Sequence, residues 1–440
     1  MTQAVAGTDK YSSDFAELKA RRQNEPQWLR DLREQAFEIF QARGFPVERK
    51  GNEDWKYTDI RPIAGATFQY PARPGDLTSE ALDARLPFDQ DAVRVVVVDG
   101  HFSVGLSRGL DEAGIVIQPL TDAVRDRSDL IERNLGRYAE PNHGSFVALN
   151  NALYNDGVLM LVEKPVARPV HLVYVTTDRE APVTFPRTLV LARPMSQLTL
   201  IETYLSLGEA NHFTDPVTEV ILEDGAIVRH YRLLLENKVA YHVAHLRTVI
   251  GRDASYANVS YETGGGLVRV DIDALLDDEG AQSDLKGLYI TTGTQHIDNL
   301  VNIDHAKPQG YSRLYYKGIL DEKSRAVFGG MVLVRPGADK TDAHQEDKNL
   351  ILSHEAEVDS KPSLEIYADD VKAGHGATAG AITDDALFYM QSRGIDPEQA
   401  MLFLVRGFAS EILDAITVDP LREWLEAQTT QALPRFQRES

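Results

Sequence analysis

The chain has 440 residues, of which 43% are hydrophobic and 26% are charged, and its formal net charge is −21. This length allows two or three domains of roughly 100–200 residues, and the composition is typical of a globular protein with a buried core. The negative charge disfavours nucleic acid as a partner, because it repels phosphate backbones. The sequence contains no cysteine, which excludes disulfides, cysteine zinc sites and any thiol nucleophile supplied by this chain.

No targeting or membrane segment is visible. Residues 1–10 are polar and lack the apolar run of a signal peptide. No stretch approaches the ~20 apolar residues that a membrane span requires. We therefore expect a cytoplasmic protein that binds neither membrane nor nucleic acid.

The first segment is helical. Residues 26–43 predict an amphipathic helix, with apolar residues at three- and four-residue intervals: Leu29, Leu32, Ala36, Phe37 and Phe40. Pro26 suits the first turn, and Gly44 followed by Pro46 is a stop signal. A polar loop with two large aromatic side chains follows at residues 53–58.

The middle of the chain predicts strands. From about residue 93 to 334, short runs rich in β-branched residues alternate with Gly, Asn, Asp and Pro. The runs are 158–162, 170–176, 198–203, 217–222, 227–235, 243–250, 255–261, 267–272, 296–303, 312–319 and 326–334. No helix-length amphipathic stretch lies between most of them, which disfavours a Rossmann sheet.

So many short strands leave three architectures open: a sandwich, a barrel or a β-helix. A solenoid adds turns without limit, whereas a single sandwich or barrel commonly needs fewer strands. Since no strict repeat is visible, the pattern alone favours the β-helix only slightly. The ends of such a coil carry unpaired strand edges, which we expect to be contact surfaces.

The last segment is helical again. Thr383, Asp396-Pro397 and Asp419-Pro420 each predict the start of a helix. The second helix has one apolar stripe, formed by Met401, Leu404, Val405, Phe408, Ile412 and Ile416. Leu402, Phe403 and Leu413 fall off that stripe. A second apolar face is usually buried too, here either by the domain itself or by a partner.

The chemistry-bearing residues concentrate between residues 342 and 378. The chain has no P-loop, no G-x-S-x-G elbow and no H-E-x-x-H helix. His344, His354 and His375 occur there among several carboxylates and could ligate iron or zinc. Taken alone, each histidine is more typical of an ordinary surface or hydrogen-bonded residue. His375 differs because Gly374 and Gly376 leave its ring unshielded.

Several separated motifs resemble those of a known family. Residues 350–353, 360–362, 364–372, 375–378 and 387–395 are similar to the C-terminal signature of the SufB/SufD family of iron–sulfur cluster assembly scaffolds. Gly44-Phe45-Pro46 and residues 53–58 resemble the N-terminal signature of the SufD branch. The resemblance covers both ends of the chain, while the middle contributes only its β-rich character.

The resemblance implies a right-handed parallel β-helix between helical terminal domains, which we place at 91–370, 1–90 and 371–440. It implies a non-catalytic scaffold in complex with SufB, paired through the β-helix ends, and with the ATPase SufC, engaged by the C-terminal helices. Nascent clusters would form at the SufB interface, using a SufB cysteine and the histidine at position 375. His375 is thus the predicted metal ligand, and Leu402, Phe403 and Leu413 are the predicted partner-binding residues.

One departure limits the role of this chain. Family members often carry a cysteine two residues before this histidine, where this chain has Ala373. Any cluster would therefore be transient and shared with SufB, with none held tightly by the isolated chain. Two other functions remain open: a homodimeric interaction scaffold without metal, and a β-helix carbohydrate-active enzyme, which would be secreted and carry a row of carboxylates.

Overall fold

The computed structural model describes residues 8–47 and 53–433. It has the predicted succession of a helical start, a long β-rich middle and a helical end. The α-helices are α1 (Lys10–Arg21), α2 (Gln27–Arg43), α3 (Arg61–Gly65), α4 (Ser79–Arg85), α5 (Leu120–Asp126), α6 (Ser128–Asn134), α7 (Ser145–Leu153), α8 (Asp384–Ser392), α9 (Pro397–Leu413) and α10 (Asp419–Ala432). The first strands are β1 (Val93–Val98), β2 (His101–Phe102), β3 (Ile115–Pro119), β4 (Val158–Val162), β5 (Val170–Thr176), β6 (Val183–Thr184), β7 (Arg187–Ala192), β8 (Gln197–Ser206), β9 (Phe213–Thr214) and β10 (Val217–Leu222). The later strands are β11 (Ile227–Leu235), β12 (Tyr241–Ile250), β13 (Ser255–Glu262), β14 (Leu267–Leu276), β15 (Gln282–Thr291), β16 (His296–His305), β17 (Tyr311–Leu320), β18 (Arg325–Val334), β19 (Asp342–Ile351), β20 (Glu357–Ile366) and β21 (Lys372–Gly380).

The strands form a parallel β-solenoid of about eight turns. Sheet A runs in the order β2-β1-β5-β8-β11-β13-β15-β17-β19-β21, and sheet B in the order β20-β18-β16-β14-β12-β10-β7-β4-β3. From β10 onward, consecutive strands alternate between the two sheets, so each turn adds one strand to each. This confirms the parallel β-helix and rules out the sandwich and the barrel.

Burial alternates along the later strands because one face looks into the coil. Along residues 328–334 of β18, for example, Phe328, Val332 and Val334 are buried in the interior cluster, whereas the residues at 329, 331 and 333 are partly exposed. The neighbouring turn repeats the pattern in register, with Ile297 beside Ala326. Each turn thereby covers the apolar face of the next, which is how a solenoid builds its core.

The N-terminal helices cover the outer face of sheet B. α1, α2 and α7 share a core cluster with that sheet, for instance through Phe40, Leu153 and Leu189. Helices α5 to α7 lie in a stretch where the sequence predicted none. In α7 every residue from Phe146 to Leu153 is buried, so this helix has no polar face and no amphipathic period to detect.

The last turn extends the solenoid beyond the predicted position. β19, β20 and β21 occupy residues 342–380, where the sequence showed only a dense polar cluster, and the final strand ends at Gly380 instead of near residue 370. These strands escaped prediction because they are polar on both faces: on β19 burial alternates from residue 343 to residue 349, but the buried positions include Gln345, Asp347 and Asn349. The run at β15, residues 282–291, was missed in the same way.

The C-terminal helices pack on the outer face of sheet A. Val405 and Ile412 of α9 and Leu425 of α10 share a cluster with sheet residues such as Tyr261 and Leu288. The Thr383 and Asp396 side chains cap α8 and α9 as predicted, accepting from the Ala386 and Glu398 N–H groups. Across the described residues, none of the helices has the length and hydropathy needed to cross a bilayer.

Candidate functional site

The predicted ligand His375 lies in β21, the last strand of sheet A. It pairs in register with Gln345 of β19, which is buried. On β19 the residues on either side of Gln345, His344 and Glu346, are exposed. Since residues in register share a face of the sheet, His375 belongs to the inward face of the coil. It is nevertheless exposed, because no described strand continues sheet A beyond β21.

His375 contacts the interior through one side chain. The Gln345 Nε2 lies 3.4 Å from His375 Nδ1, and the same amide nitrogen donates to the Ser363 carbonyl oxygen at 2.8 Å. An amide nitrogen only donates, so in this arrangement Nδ1 accepts and the ring proton sits on Nε2. A metal bound at Nε2 would need that proton to move to Nδ1, which requires the Gln345 contact to rearrange.

Beneath this contact lies a buried carboxyl group. Asp347 Oδ2 accepts hydrogen bonds from Ser360 Oγ at 2.6 Å and from Asn349 Nδ2 at 2.7 Å. Burial, the largest cause, raises the pKa of Asp347 to about 6, against the effect of these donors. The open end of the coil therefore carries polar groups on its inner side.

His375 and His344 line one open depression of about 570 Å³ at this end. His344 comes from the opposite face of the sheet, and its ring lies over Gly374, where an added Cβ would approach its Nδ1 to 3.3 Å. His344 Nε2 lies 3.4 Å from Asp342 Oδ1. His354 sits in the turn between β19 and β20 and does not line the depression.

The metal-binding potential of this chain is incomplete by itself. Within residues 8–47 and 53–433, no three His, Asp or Glu side chains are arranged to hold a metal ion. Ala373, which replaces the family cysteine, is partly buried and packs against the interior cluster. Among the described residues, His375 therefore belongs to no cluster that could hold a metal ion by itself.

The three predicted partner-binding residues separate on α9. Leu413 is 2% exposed and belongs to the cluster that joins α9 to sheet A, so its own chain already covers it. Leu402 packs at the edge of the same cluster. Phe403 is 51% exposed. Of the off-stripe residues, Phe403 alone offers a large apolar surface.

The sequence reasoning did not single out two other exposed aromatic side chains, which lie on α8. Phe388 and Tyr389 on α8 are 72% and 61% exposed, and none of the residues of α8 is buried. α8 packs mainly against α9. An amphipathic period indicates that a helix has a buried face. Because α8 is short, its apolar residues form no clear period, and the sequence could not show which of them are exposed.

One buried arrangement resembles a hydrolase triad. Asp89 Oδ2 lies 2.8 Å from His171 Nδ1, and His171 Nε2 lies 2.8 Å from Thr203 Oγ1. All three side chains are almost completely buried. A nucleophile must reach its substrate, so this group serves to satisfy buried polar atoms between the strands.

The fold defines the chain as a parallel β-solenoid protein with helices at both ends and an exposed histidine on its last strand. Family models match nearly the whole chain: "SufBD protein N-terminal region" at residues 6–172, and "SUF system FeS cluster assembly, SufBD core domain" at residues 174–408. The chain belongs to the SufBD family of iron–sulfur cluster assembly proteins.

Within the family, the chain is similar to proteins named SufD. It is 30% identical to the iron-sulfur cluster assembly protein SufD of Escherichia coli (strain K12), over 89% of this chain and 90% of that protein. It is 27% identical to the Bacillus subtilis (strain 168) protein of the same name, over 94% and 95%. It is also 28% identical to "Protein ABCI7, chloroplastic" of Arabidopsis thaliana, over 90% and 84%. The resemblance to the SufD branch is confirmed.

Proposed function

We propose that this chain is a non-catalytic scaffold subunit that contributes, with SufB, to the site where nascent iron–sulfur clusters form, and that it docks the ATPase SufC. The observation that carries this proposal is the position of His375 on the uncovered last strand of the solenoid. A role in SUF cluster assembly follows from family membership. The partners and the ligand role are the proposed part.

The two terminal strands differ in how well they could accept a partner. β20 carries Lys361 and Pro362, the residue types that prevent edge-to-edge association. β21 reads Lys-Ala-Gly-His-Gly-Ala-Thr-Ala-Gly and contains no proline. Its edge offers backbone donors and acceptors with little steric hindrance. The SufB chain is therefore proposed to pair along β21, next to His375.

At such an interface His375 would be one ligand among several. Imidazole nitrogen is an accepted ligand of iron in clusters that otherwise use thiolates. This chain has no cysteine, so the thiolates and sulfide would come from SufB. The cluster is cargo in this proposal: it is held transiently and shared, and the isolated chain is not expected to bind one tightly.

The C-terminal helices are the proposed dock for SufC. Phe403, Phe388 and Tyr389 expose large apolar side chains on two helices that pack together. Exposed aromatic side chains commonly mark protein interfaces. Leu402 would border the contact, and Leu413 would support it from beneath by anchoring α9 to sheet A. ATP hydrolysis would then be supplied by the partner, since this sequence has no P-loop.

A second candidate is a homodimer formed when SufB is absent. The same β21 edge favours it, because a free edge can pair with a second copy. We place both forms in the cytoplasm. In this second role the chain would bind no metal.

A pull-down from the native host tests the proposal. The tagged full chain is purified anaerobically, its partners are identified by mass spectrometry, and iron and acid-labile sulfide are measured. We expect SufB and SufC with substoichiometric iron and sulfide. Recovery of the chain alone or only as a dimer, without iron, would favour the second candidate.

A further inference from the structure

Gln345 is a buried amide that the functions discussed above leave without a role. It is 2% exposed and lies on β19 in register with His375. One turn earlier, the same position is occupied by Leu314, an apolar residue of the interior cluster. A buried amide in place of an apolar side chain costs free energy unless hydrogen bonds hold it. The partners of this amide therefore indicate what it does.

The opposite sheet fixes the orientation of the Gln345 amide. Its Nε2 donates to the Ser363 carbonyl oxygen of β20 at 2.8 Å. If the amide were reversed, two oxygens would face each other at this distance, because neither carbonyl group can donate. The nitrogen therefore lies toward β20. Its second hydrogen is left for Nδ1 of His375, which is 3.4 Å away.

Gly330 provides the space for the oxygen of the same amide. A Cβ atom at residue 330 would lie 2.6 Å from Gln345 Oε1 and 3.1 Å from the Phe328 ring. The oxygen itself has no hydrogen-bond partner among the described residues. The amide is thus bonded through its nitrogen and closely surrounded at its oxygen. This arrangement leaves it little freedom to rotate.

The contact with Gln345 determines which nitrogen of His375 keeps its lone pair. A neutral imidazole has one N–H group and one nitrogen with a lone pair. Because the amide N–H is directed at Nδ1, the lone pair lies on Nδ1 and the hydrogen lies on Nε2. Nε2 has no hydrogen-bond partner among the described residues, and the side chain is exposed. The accessible nitrogen is therefore the one that carries the hydrogen.

We propose that Gln345 is a positioning residue that keeps His375 in the Nε2–H tautomer, so that Nε2 cannot bind a metal until the contact is broken. This role rests on the proposed function of His375 as a ligand and adds a control step to it. For a metal to bind, the Nε2 proton passes to water and Nδ1 takes up another, so net protonation does not change. The Gln345 amide must then turn away, because two N–H groups would face each other. A partner strand paired along β21 lies beside this contact, and its binding is the event proposed to release His375.

Nitrogen NMR of the full chain, labelled with ¹⁵N in histidine, tests the tautomer directly. Protonated and unprotonated ring nitrogens have well-separated shifts, and His375→Ala identifies the signals. Spectra are recorded at pH 8.5, about two units above the ordinary imidazole pKa. We expect the wild-type ring almost wholly in the Nε2–H form. Gln345→Met keeps a similar side-chain size without the donor, and it should populate both tautomers, as the exposed His354 does.

Reaction with aquapentaammineruthenium(II) measures the consequence for metal binding. This complex loses its water ligand and binds one imidazole through the nitrogen lone pair, and mass spectrometry locates each adduct. The rate at His375, divided by the rate at His354 in the same sample, should rise about three- to tenfold in Gln345→Met. Gly330→Ala displaces the amide without touching His375 and should raise the ratio too. Ser360→Ala, which removes a bond to Asp347 in the same turn, should leave it unchanged.

The wild-type spectrum decides the proposal even where a variant fails to fold. A tautomer ratio at His375 equal to that at His354 would overturn the role of Gln345. So would a ruthenium rate that neither Gln345→Met nor Gly330→Ala alters. Normal cluster yield from an assembled His375→Ala complex would instead reject the ligand role, whereas the spectra and rates of the isolated chain judge Gln345 separately.

Discussion

The Nζ atom of Lys361 lies 3.5 Å from Glu53 Oε2, joining the last strand of sheet B to the loop that follows α2. Lys361 also lies over the Tyr57 ring at 5.3 Å, and Arg269 lies over the Trp55 ring at 4.4 Å. The loop of residues 53–58 thus runs along the outer face of sheet B up to the final turn. The N-terminal and C-terminal motifs, far apart in sequence, meet beside the turn that carries His375.

Replacement of His375 should separate assembly from cluster formation. His375→Ala removes an exposed side chain whose described contact is a 3.4 Å approach from Gln345, so folding and complex formation should persist. Iron and sulfide bound per reconstituted complex should fall to a small fraction of the wild-type value, because one ligand is lost. His344→Ala is the matched control, since His344 lines the same depression from the outer face, and it should retain most of the yield. Normal yield in an assembled His375→Ala complex would leave this chain with an architectural role only.

Replacement of Phe403 should weaken SufC binding without unfolding the chain. Phe403→Asp places a charge on a side chain that is 51% exposed, and removal of an aromatic hot spot costs about 2 kcal/mol or more. Titration calorimetry with purified SufC should show a dissociation constant raised about thirtyfold. Gln399→Asp introduces the same charge at an exposed position of α9 and should bind normally. Equal affinities for both variants would place the SufC dock elsewhere.

One ion pair holds α9 against sheet A. Lys317 Nζ lies 2.7 Å from Glu411 Oε2 and donates to the Phe408 carbonyl oxygen at 2.9 Å, and the Lys317 side chain is 1% exposed. Desolvation lowers the pKa of Lys317, opposed by Glu411. Glu411→Gln leaves this ammonium group without its carboxylate, which should cost on the order of 1–3 kcal/mol.

Hydrogen exchange measures where this loss appears. Amides of α9 should exchange faster in Glu411→Gln, while amides of α2, on the opposite side of the solenoid, should not change. The double variant Lys317→Met/Glu411→Gln removes the buried charge and should restore most of the protection. Unchanged exchange in α9 would show that the apolar cluster alone retains the helix.

A buried glutamate should make stability depend on pH. Glu262 lies inside the coil, accepts a hydrogen bond from Asn299 Nδ2 at 2.9 Å, and has its pKa raised from 4.5 to about 7, chiefly by burial. Because the pKa is higher in the folded state than in the unfolded state, the contribution of Glu262 to the free energy of unfolding is fully present below pH 4.5. It is lost as pH rises through 7 and the side chain ionises. Glu262→Gln keeps the Asn299 contact without a charge, so it should stabilise the chain at pH 8 by on the order of 3 kcal/mol.

Denaturant unfolding at pH 5 and pH 8 tests this effect. Relative to Glu262→Gln, the wild type should lose stability between the two values. The comparison cancels the buried histidines, such as His245 and His305, whose lowered pKa values act in the opposite direction. Glu223→Gln is a suitable control, because Glu223 is partly exposed and pairs with Arg193 at the surface. A pH dependence identical in the wild type and Glu262→Gln would mean that Glu262 is ionised at no cost.

The sequence alone located most of the middle strands and the terminal helices α2, α8 and α9. β-branched runs located most strands of the middle segment because a pleated, half-buried chain selects those residue types. Cap residues located the C-terminal helices: α9 begins at Pro397, directly after the Asp396 cap. The separated motifs also identified the family, including the histidine at position 375.

The tertiary structure decided the rest, because it depends on pairings between residues distant in the chain. His375 faces the end of the coil because β21 aligns it with Gln345, thirty residues earlier. Leu413 is covered and Phe403 is exposed because sheet A reaches one side of α9 and not the other. Neither helix α7 nor the polar last strands could be recognised from the sequence. Hydrophobic period and residue propensity indicate which face of an element is apolar, but they do not show which other elements pack against it.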